Sequence, residues 1–354
     1  MEKTKILEKA FKAFLIFVPL SLFAEYMHSS PVVIFILASL AIIPLAKYIG
    51  ESTEEISART GPALGGLLNA TFGNATELII SVFALQAGLT EMVKASITGS
   101  IIGNLLLILG MAFFIGGLGK DEQTFNTTAA RASASTLFLA TAAIVMPVVF
   151  VLTSENPSAA TIETLSIAVS VIMAISYLAS LLFSLHTHKH LYTADMAEYH
   201  ARWGVKKSVA VLLVSTVVVA VMSEILVGSI EPLAESLGWT ELFIGMIFIA
   251  IIGNAAEHVS AITIAVKDRM DLALQIAIGS TTQIAMFVVP VLVFMSYFFE
   301  TPMNLIFTTF ELACIVSAVL MVKSIIEDGK SNWFEGLQLL GTYGIMVVVS
   351  FLHP

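Results

Sequence analysis

The chain has 354 residues, of which 57% are hydrophobic and 12% charged, with a mean hydropathy of +0.93 and a net charge of −9. A water-soluble domain carries about 25% charged residues, so a soluble enzyme, a nucleic-acid binder and a secreted disulfide scaffold are all excluded. The single cysteine, Cys314, can form neither an internal disulfide nor a thiolate metal cluster.

Apolar runs recur at 11–27, 31–48, 62–87, 93–118, 132–152, 160–184, 207–229, 240–266, 272–297, 303–323 and 334–352. A helix of about 20 residues crosses roughly 30 Å of hydrocarbon, whereas barrel strands would read as alternating segments of about 10. An all-α integral membrane protein with eleven transmembrane helices is predicted. The basic start, Lys3 to Lys12, precedes no small-residue cleavage site and is expected to lead into a retained first span.

Sixteen of the 17 Lys and Arg residues then fall on one side: Lys3, Lys5, Lys9, Lys12, Lys47, Arg59, Lys120, Arg131, Lys189, Arg202, Lys206, Lys207, Lys267, Arg269, Lys323 and Lys330. Only Lys94 falls on the other. The positive-inside rule therefore predicts a cytoplasmic N-terminus and an external C-terminus, and a prokaryotic plasma membrane is expected. The longest polar connection carries His186, His188, His190 and His200 and reads as a solvated cytoplasmic loop, with metal sensing the alternative.

At an offset of 180 residues the chain matches itself. Gly73-Asn74-Ala75-Thr76-Glu77 falls on Gly253-Asn254-Ala255-Ala256-Glu257, and Gly99-Ser100 on Gly279-Ser280. Identities at fixed register, among otherwise interchangeable apolar residues, indicate two homologous halves. The expected organisation is an N-terminal helix (1–30), a first five-helix repeat (31–185), a cytoplasmic linker (186–206) and a second repeat (207–354). Five is odd, so the second repeat runs through the membrane inverted. Inverted repeats belong to secondary transporters, with ion sites on broken helices near the midplane.

Glu77 and Glu257 both lie deep in their spans, where a charged acidic side chain costs about 2.5–3.5 kcal/mol. A lone intramembrane Glu is readily explained as a protonated hydrogen-bonding group; two at equivalent positions point to an ion site. Gly73 and Asn74 precede Glu77 by four and three residues and share its helical face, as Gly253 and Asn254 do for Glu257. Such a face admits a second backbone or lets the helix break, exposing carbonyl oxygens. Tight packing of small residues, as in Gly61-xxx-Gly65 and Gly99-xxx-Gly103, accounts for the glycines equally well.

Carboxylates, amides, hydroxyls and carbonyls are hard oxygen donors, which suit Ca²⁺ better than the reluctantly dehydrated Mg²⁺. Asn74, Asn254, Ser100, Ser280, Asn104 and Gln283 are candidates for the further oxygens. Protons compete with Ca²⁺ for the same carboxylates, and that competition couples the two fluxes when only a neutralised site crosses readily. His258, beside Glu257, reads as a packing or hydrogen-bonding residue, with a proton relay the alternative. Glu224 is the outer-side acid best placed for proton passage. Glu231, Glu235, Glu241, Glu25, Glu91, Glu155, Glu300 and Glu311 read as a solvated outer rim, and Glu51, Glu54 and Glu55 as a polar helix end or a Ca²⁺-attracting one.

The pair Gly73-Asn74-Ala75-Thr76-Glu77-Leu78 and Gly253-Asn254-Ala255-Ala256-Glu257-His258 closely resembles the paired motifs of the cation/proton exchangers of the calcium/cation antiporter superfamily. The resemblance covers nearly the whole chain. It implies Ca²⁺/H⁺ antiport, with Glu77 and Glu257 the central cation and proton carboxylates and Ser100, Ser280 and Gln283 as added ligands. It also implies that spans two and seven slide against a rigid core. The sodium/calcium exchanger branch is similar in fold but tends to carry another acid on the following helix; here Gly99 to Asn104 and Gly279 to Gln283 carry none, which favours protons as the counter-ion.

The expected partners are therefore Ca²⁺ and H⁺ as substrates and the lipid bilayer, with no nucleic acid; a homo-oligomer is left open. No cofactor is expected, since Ca²⁺ is the cargo. A Na⁺/Ca²⁺ or broader divalent exchanger is the nearest alternative, and a cation channel the more distant one. Neither a His-Glu-x-x-His motif nor a nucleotide-binding loop is present, so a metalloprotease and an ATP-driven pump lack their parts.

Overall fold

The computed structural model describes residues 11–60, 62–188 and 201–353. They form α1 (Phe17–Tyr26), α2 (Pro31–Thr60), α3 (Pro62–Phe72), α4 (Ala75–Gln86), α5 (Thr90–Gly117), α6 (Thr127–Thr153) and α7 (Ala159–Thr187). The second part holds α8 (Val205–Gly228), α9 (Ile230–Leu237), α10 (Glu241–Gly253), α11 (Ala255–Val266), α12 (Met270–Ser296), α13 (Thr309–Ile325) and α14 (Trp333–Leu352). Among the described residues eight helices are long and apolar enough to cross a membrane, or nine if α10 and α11, bent by 61°, count as one. Lys3, Lys5, Lys9, Lys189, His190 and His200 lie outside the described residues.

Local chemistry sets the helix starts. Asn126 accepts the Thr128 and Ala129 N–H groups at 2.9 and 3.1 Å, and Ser158 and Thr240 cap α7 and α10 in the same way. Thr308–Glu311 and Asn332–Glu335 form reciprocal capping boxes at the starts of α13 and α14. The first of these corrects the expected tenth span, which begins at 309 rather than 303. Residues 303–308 are irregular, with Met303, Leu305 and Phe307 buried alternately, so an apolar run that reads as helix packs its side chains without one.

The central helices are α5 and α12, which are mostly buried. Around them α6, α7 and α8 expose large apolar side chains, among them Ile172, Ile175, Leu178 and Leu182 on α7 and Leu213, Val214 and Val217 on α8. Apolar surface of that extent is stable against lipid and not against water. α2 and α8 pack along one another; α2 also lies against α10 and α11, and α8 against α4. Away from the hydrocarbon, a two-residue antiparallel bridge (β1, Gln123–Thr124; β2, Lys330–Ser331) joins the turns before α6 and α14.

Candidate functional site

Both motif helices are broken where the asparagines stand. Asn74 (φ −100°, ψ 16°) separates α3 from α4, and Asn254 (φ −91°, ψ 7°) separates α10 from α11. The apolar runs 62–87 and 240–266, each read as one span, are therefore each two helices, α3 with α4 and α10 with α11. Each break starts a new helix inside the protein, with Glu77 and Glu257 in the first turns of α4 and α11. First-turn N–H groups and the helix dipole favour negative charge there, and the last carbonyls before each break lose their helical partners.

The two breaks face each other. A Cβ on Gly253 would lie 3.1 Å from Glu77 Cγ and 3.5 Å from Cδ and Oε1, so the Glu77 carboxyl rests on the glycine of the opposite motif. Each asparagine is tied to the opposite half: Asn74 Nδ2 donates to Gln283 Oε1 at 2.8 Å, and Asn104 Nδ2 donates to Asn254 Oδ1 at 3.3 Å. Asn254 Nδ2 donates to Ser100 Oγ at 2.9 Å and to the Ala250 carbonyl at 2.9 Å.

The carboxylates are not equivalent. Ser280 Oγ donates to Glu257 Oε2, whereas Glu77 Oε2 is buried with no hydrogen-bond partner. Gly73, Asn74, Glu77, Ser100, Asn104, Gly253, Asn254, Glu257, Ser280 and Gln283 therefore come together around one crossing point. α5 and α12 reach it with π-helical turns at Gly103–Ile108 and Ile284–Val288, which shift the side-chain register where Asn104 and Gln283 emerge. At Gly99 a Cβ would collide with the Met246 carbonyl, and at Gly245 it would lie 2.6 Å from the Met92 carbonyl, so α5 and α10 meet backbone to backbone beside the site.

Of the two residues considered for proton passage, neither side chain is hydrogen-bonded to this group. Glu224 is exposed on α8. His258 is buried one residue beyond Glu257, its main-chain N–H bonded to the Asn254 carbonyl at 3.0 Å. Among the described residues no three His, Cys, Asp or Glu side chains converge, so a cation at the crossing point would take its remaining oxygens from amides, hydroxyls and main-chain carbonyls.

Charged side chains are buried elsewhere too, against the sequence reading in the case of Glu311 and Glu55. Glu311, placed on a solvated rim, is buried: it accepts from the Thr308 N–H and hydroxyl at 2.8 Å and from Thr98 Oγ1 at 3.3 Å. Lys94, which the sequence reading sets apart from the other basic residues, is also buried, donating to the Ile306 carbonyl at 2.8 Å and pairing with Glu91 at 2.6 Å. The Thr308-x-x-Glu311 spacing signals the cap, but the long-range partner of Lys94, Ile306, leaves no local trace.

The sodium/calcium exchanger protein family matches residues 30–186 and 207–352. The chain is 50% identical over 341 residues to the Ca²⁺/H⁺ antiporter ChaA of Bacillus subtilis, covering 95% of this chain and 96% of that one. It is 48% identical over 364 residues to a Ca²⁺/H⁺ antiporter of Synechocystis sp., covering 98% of each. The solved structure of native YfkE superposes with a TM-score of 0.84 at 48% identity, over 96% of this chain and 99% of that one.

Proposed function

The chain belongs to the sodium/calcium exchanger protein family, and we propose that within it this protein exchanges Ca²⁺ for H⁺ across the membrane, extruding Ca²⁺ from the cytoplasm. The observation that carries this reading is the paired break: two carboxylates on the first turns of two half-helices, that of Glu77 packed on Gly253 of the opposite motif, in a chain half identical to proteins named Ca²⁺/H⁺ antiporters. Glu77 and Glu257 are the shared cation and proton groups. Asn74, Asn254, Ser100, Ser280, Asn104, Gln283 and the carbonyls freed at Gly73 and Gly253 supply or orient the other oxygens.

Exchange follows from charge. With both carboxylates ionised and the site empty, two negative charges face a low-dielectric interior, and crossing is slow. Ca²⁺ neutralises them in one step and protons in another, so each loaded form crosses and the empty one does not. Glu77 Oε2, lacking a partner, is the oxygen first available to an arriving cation, while Glu257 is held by Ser280.

Eleven spans in one-plus-five-plus-five order complete the reading. Two pairs of repeat-equivalent features support it: the asparagine breaks, and the turns at Gly88 (φ 81°) and Asp268 (φ 63°), 180 residues apart. The stretches matched by the family also flank the linker 186–206. α1 then forms the extra N-terminal span, and α3 with α4 forms a broken span like α10 with α11. The N-terminus is cytoplasmic, the C-terminus external, and the membrane that of the cell surface.

Sodium-driven exchange is disfavoured by Ser100, Asn104, Ser280 and Gln283 standing where an additional acid would be needed. The reading is tested by Ca²⁺ uptake into proteoliposomes under a pH gradient without sodium, beside a sodium gradient without a pH difference. Uptake is expected in the first condition alone; uptake driven only by sodium would overturn it.

A further inference from the structure

Glu55 reads from the sequence as part of a polar helix end, yet it is only 2% exposed. Its two oxygens are engaged separately: Oε1 accepts the Arg202 N–H at 3.0 Å and Oε2 the Trp203 N–H at 2.9 Å. These are consecutive main-chain groups immediately before Gly204, the N-cap of α8. One turn further along α2, Arg59 donates to the Trp203 carbonyl, and Lys207 in the first turn of α8 sits 4.3 Å above the Trp203 ring. The main-chain N–H, carbonyl and ring of Trp203 are thus all held, two of them by α2.

We infer that Glu55 is a positioning residue for the exchange, clasping the segment that leads into α8 onto the end of α2 so that the two long helices shift as one body. Charge-assisted hydrogen bonds from both oxygens give the clasp strength and direction, and the start of α8 favours a nearby negative charge. The packing gives it a purpose. α2 belongs to the first half and lies along α10 and α11, which carry Glu257; α8 belongs to the second half and lies along α4, which carries Glu77. Moved together, the pair covers or uncovers both carboxylates at once. Moved separately, one carboxylate is exposed while the other stays covered, and the site is never presented whole. The same end of α2 is tied to α3 by Ser57 Oγ donating to the Gly65 carbonyl at 3.0 Å, so the clasp lies where α2 meets both the other long helix and the first broken span.

The inference rests on the exchange reading above, and the experiment separates the two. Full-length protein in proteoliposomes is assayed for Ca²⁺ uptake driven by a pH gradient; wild type without uptake would count against the exchange reading. Glu55→Ala is expected to lower turnover roughly tenfold, with the KM for Ca²⁺ within about twofold of wild type, because access changes and the ligands do not. Glu55→Gln, which keeps the size and one acceptor, is expected to fall between them and serves if the alanine variant does not fold. A Glu55→Cys/Trp203→Cys variant in a Cys314→Ser background, joined by a short dithiol-reactive linker, is expected to recover turnover that the unlinked form lacks. A purely structural role would lower the yield of folded protein and leave nothing for the linker to restore. Turnover equal to wild type in both single variants, a change confined to KM, or a linker that fails to raise the rate overturns the inference.

Discussion

Gly253→Ala probes the contact between the two motifs with a single methyl group. The added Cβ would stand 3.1 Å from Glu77 Cγ and 3.5 Å from Cδ and Oε1, against an ordinary carbon–carbon separation of about 3.5–4.0 Å. Glu77 sits on the first turn of α4 and is free to retreat only by moving its carboxylate a few tenths of an ångström. Ca²⁺ accepts oxygens over a narrow range, about 2.3–2.6 Å, so that retreat weakens or removes one charged ligand. An interaction of that class is worth about 1.5–3 kcal/mol, which corresponds to roughly a 10- to 100-fold rise in the KM for Ca²⁺. The assay is the initial rate of uptake into proteoliposomes against Ca²⁺ concentration. Gly279→Ala is the control, because a Cβ there meets nothing within 4 Å. An unchanged KM in Gly253→Ala, or an equal rise in Gly279→Ala, would refute the reasoning.

Three further outcomes are expected. Ser280→Ala removes the hydroxyl that donates to Glu257 and should raise the KM for Ca²⁺ more than Ser100→Ala, whose hydroxyl accepts from Asn254 rather than touching a carboxylate; paired uptake curves check the order. Lys94→Met leaves the Ile306 carbonyl without its ammonium partner and should cost about 1.5–3 kcal/mol of stability, read as a lower unfolding midpoint in detergent. At the exposed turn between α11 and α12, hydrogen bonds from Lys120 and then Gln123 hold the Asp268 carboxyl below the usual range. The stability this adds is full above the ordinary carboxylate pKa of about 4 and is lost as pH falls through the lower folded value. The gap between wild type and Asp268→Asn in chemical unfolding should therefore be present at pH 7 and shrink in strong acid.

The parts of this molecule that the sequence makes legible are those where polarity interrupts hydrocarbon. Glu77, Asn74, Glu257 and Asn254 are conspicuous because apolar neighbours surround them, and the 180-residue offset can be seen because Gly, Asn and Glu do not interchange as Leu, Ile and Val do. What hydropathy cannot register is backbone hydrogen bonding. The breaks at Asn74 and Asn254 and the π-helical turns beside Asn104 and Gln283 keep the same apolar composition as straight helix. The irregular residues 303–308 misread as helix for the same reason, since burial of Met303, Leu305 and Phe307 satisfies either pattern. Contacts between distant segments are illegible altogether: Glu55 meets Trp203 across 148 positions and Lys94 meets Ile306 across 212, with no local signature at either end.

The most direct measurement of the central claim is uptake of radioactive Ca²⁺ into sodium-free proteoliposomes under an imposed pH gradient, comparing wild type with Glu77→Gln and Glu257→Gln. The account predicts uptake that follows the gradient in wild type and vanishes in both variants, because each amide removes a group that Ca²⁺ and the proton share. Gradient-driven uptake that survives either substitution would contradict it and place the exchange site elsewhere in the molecule.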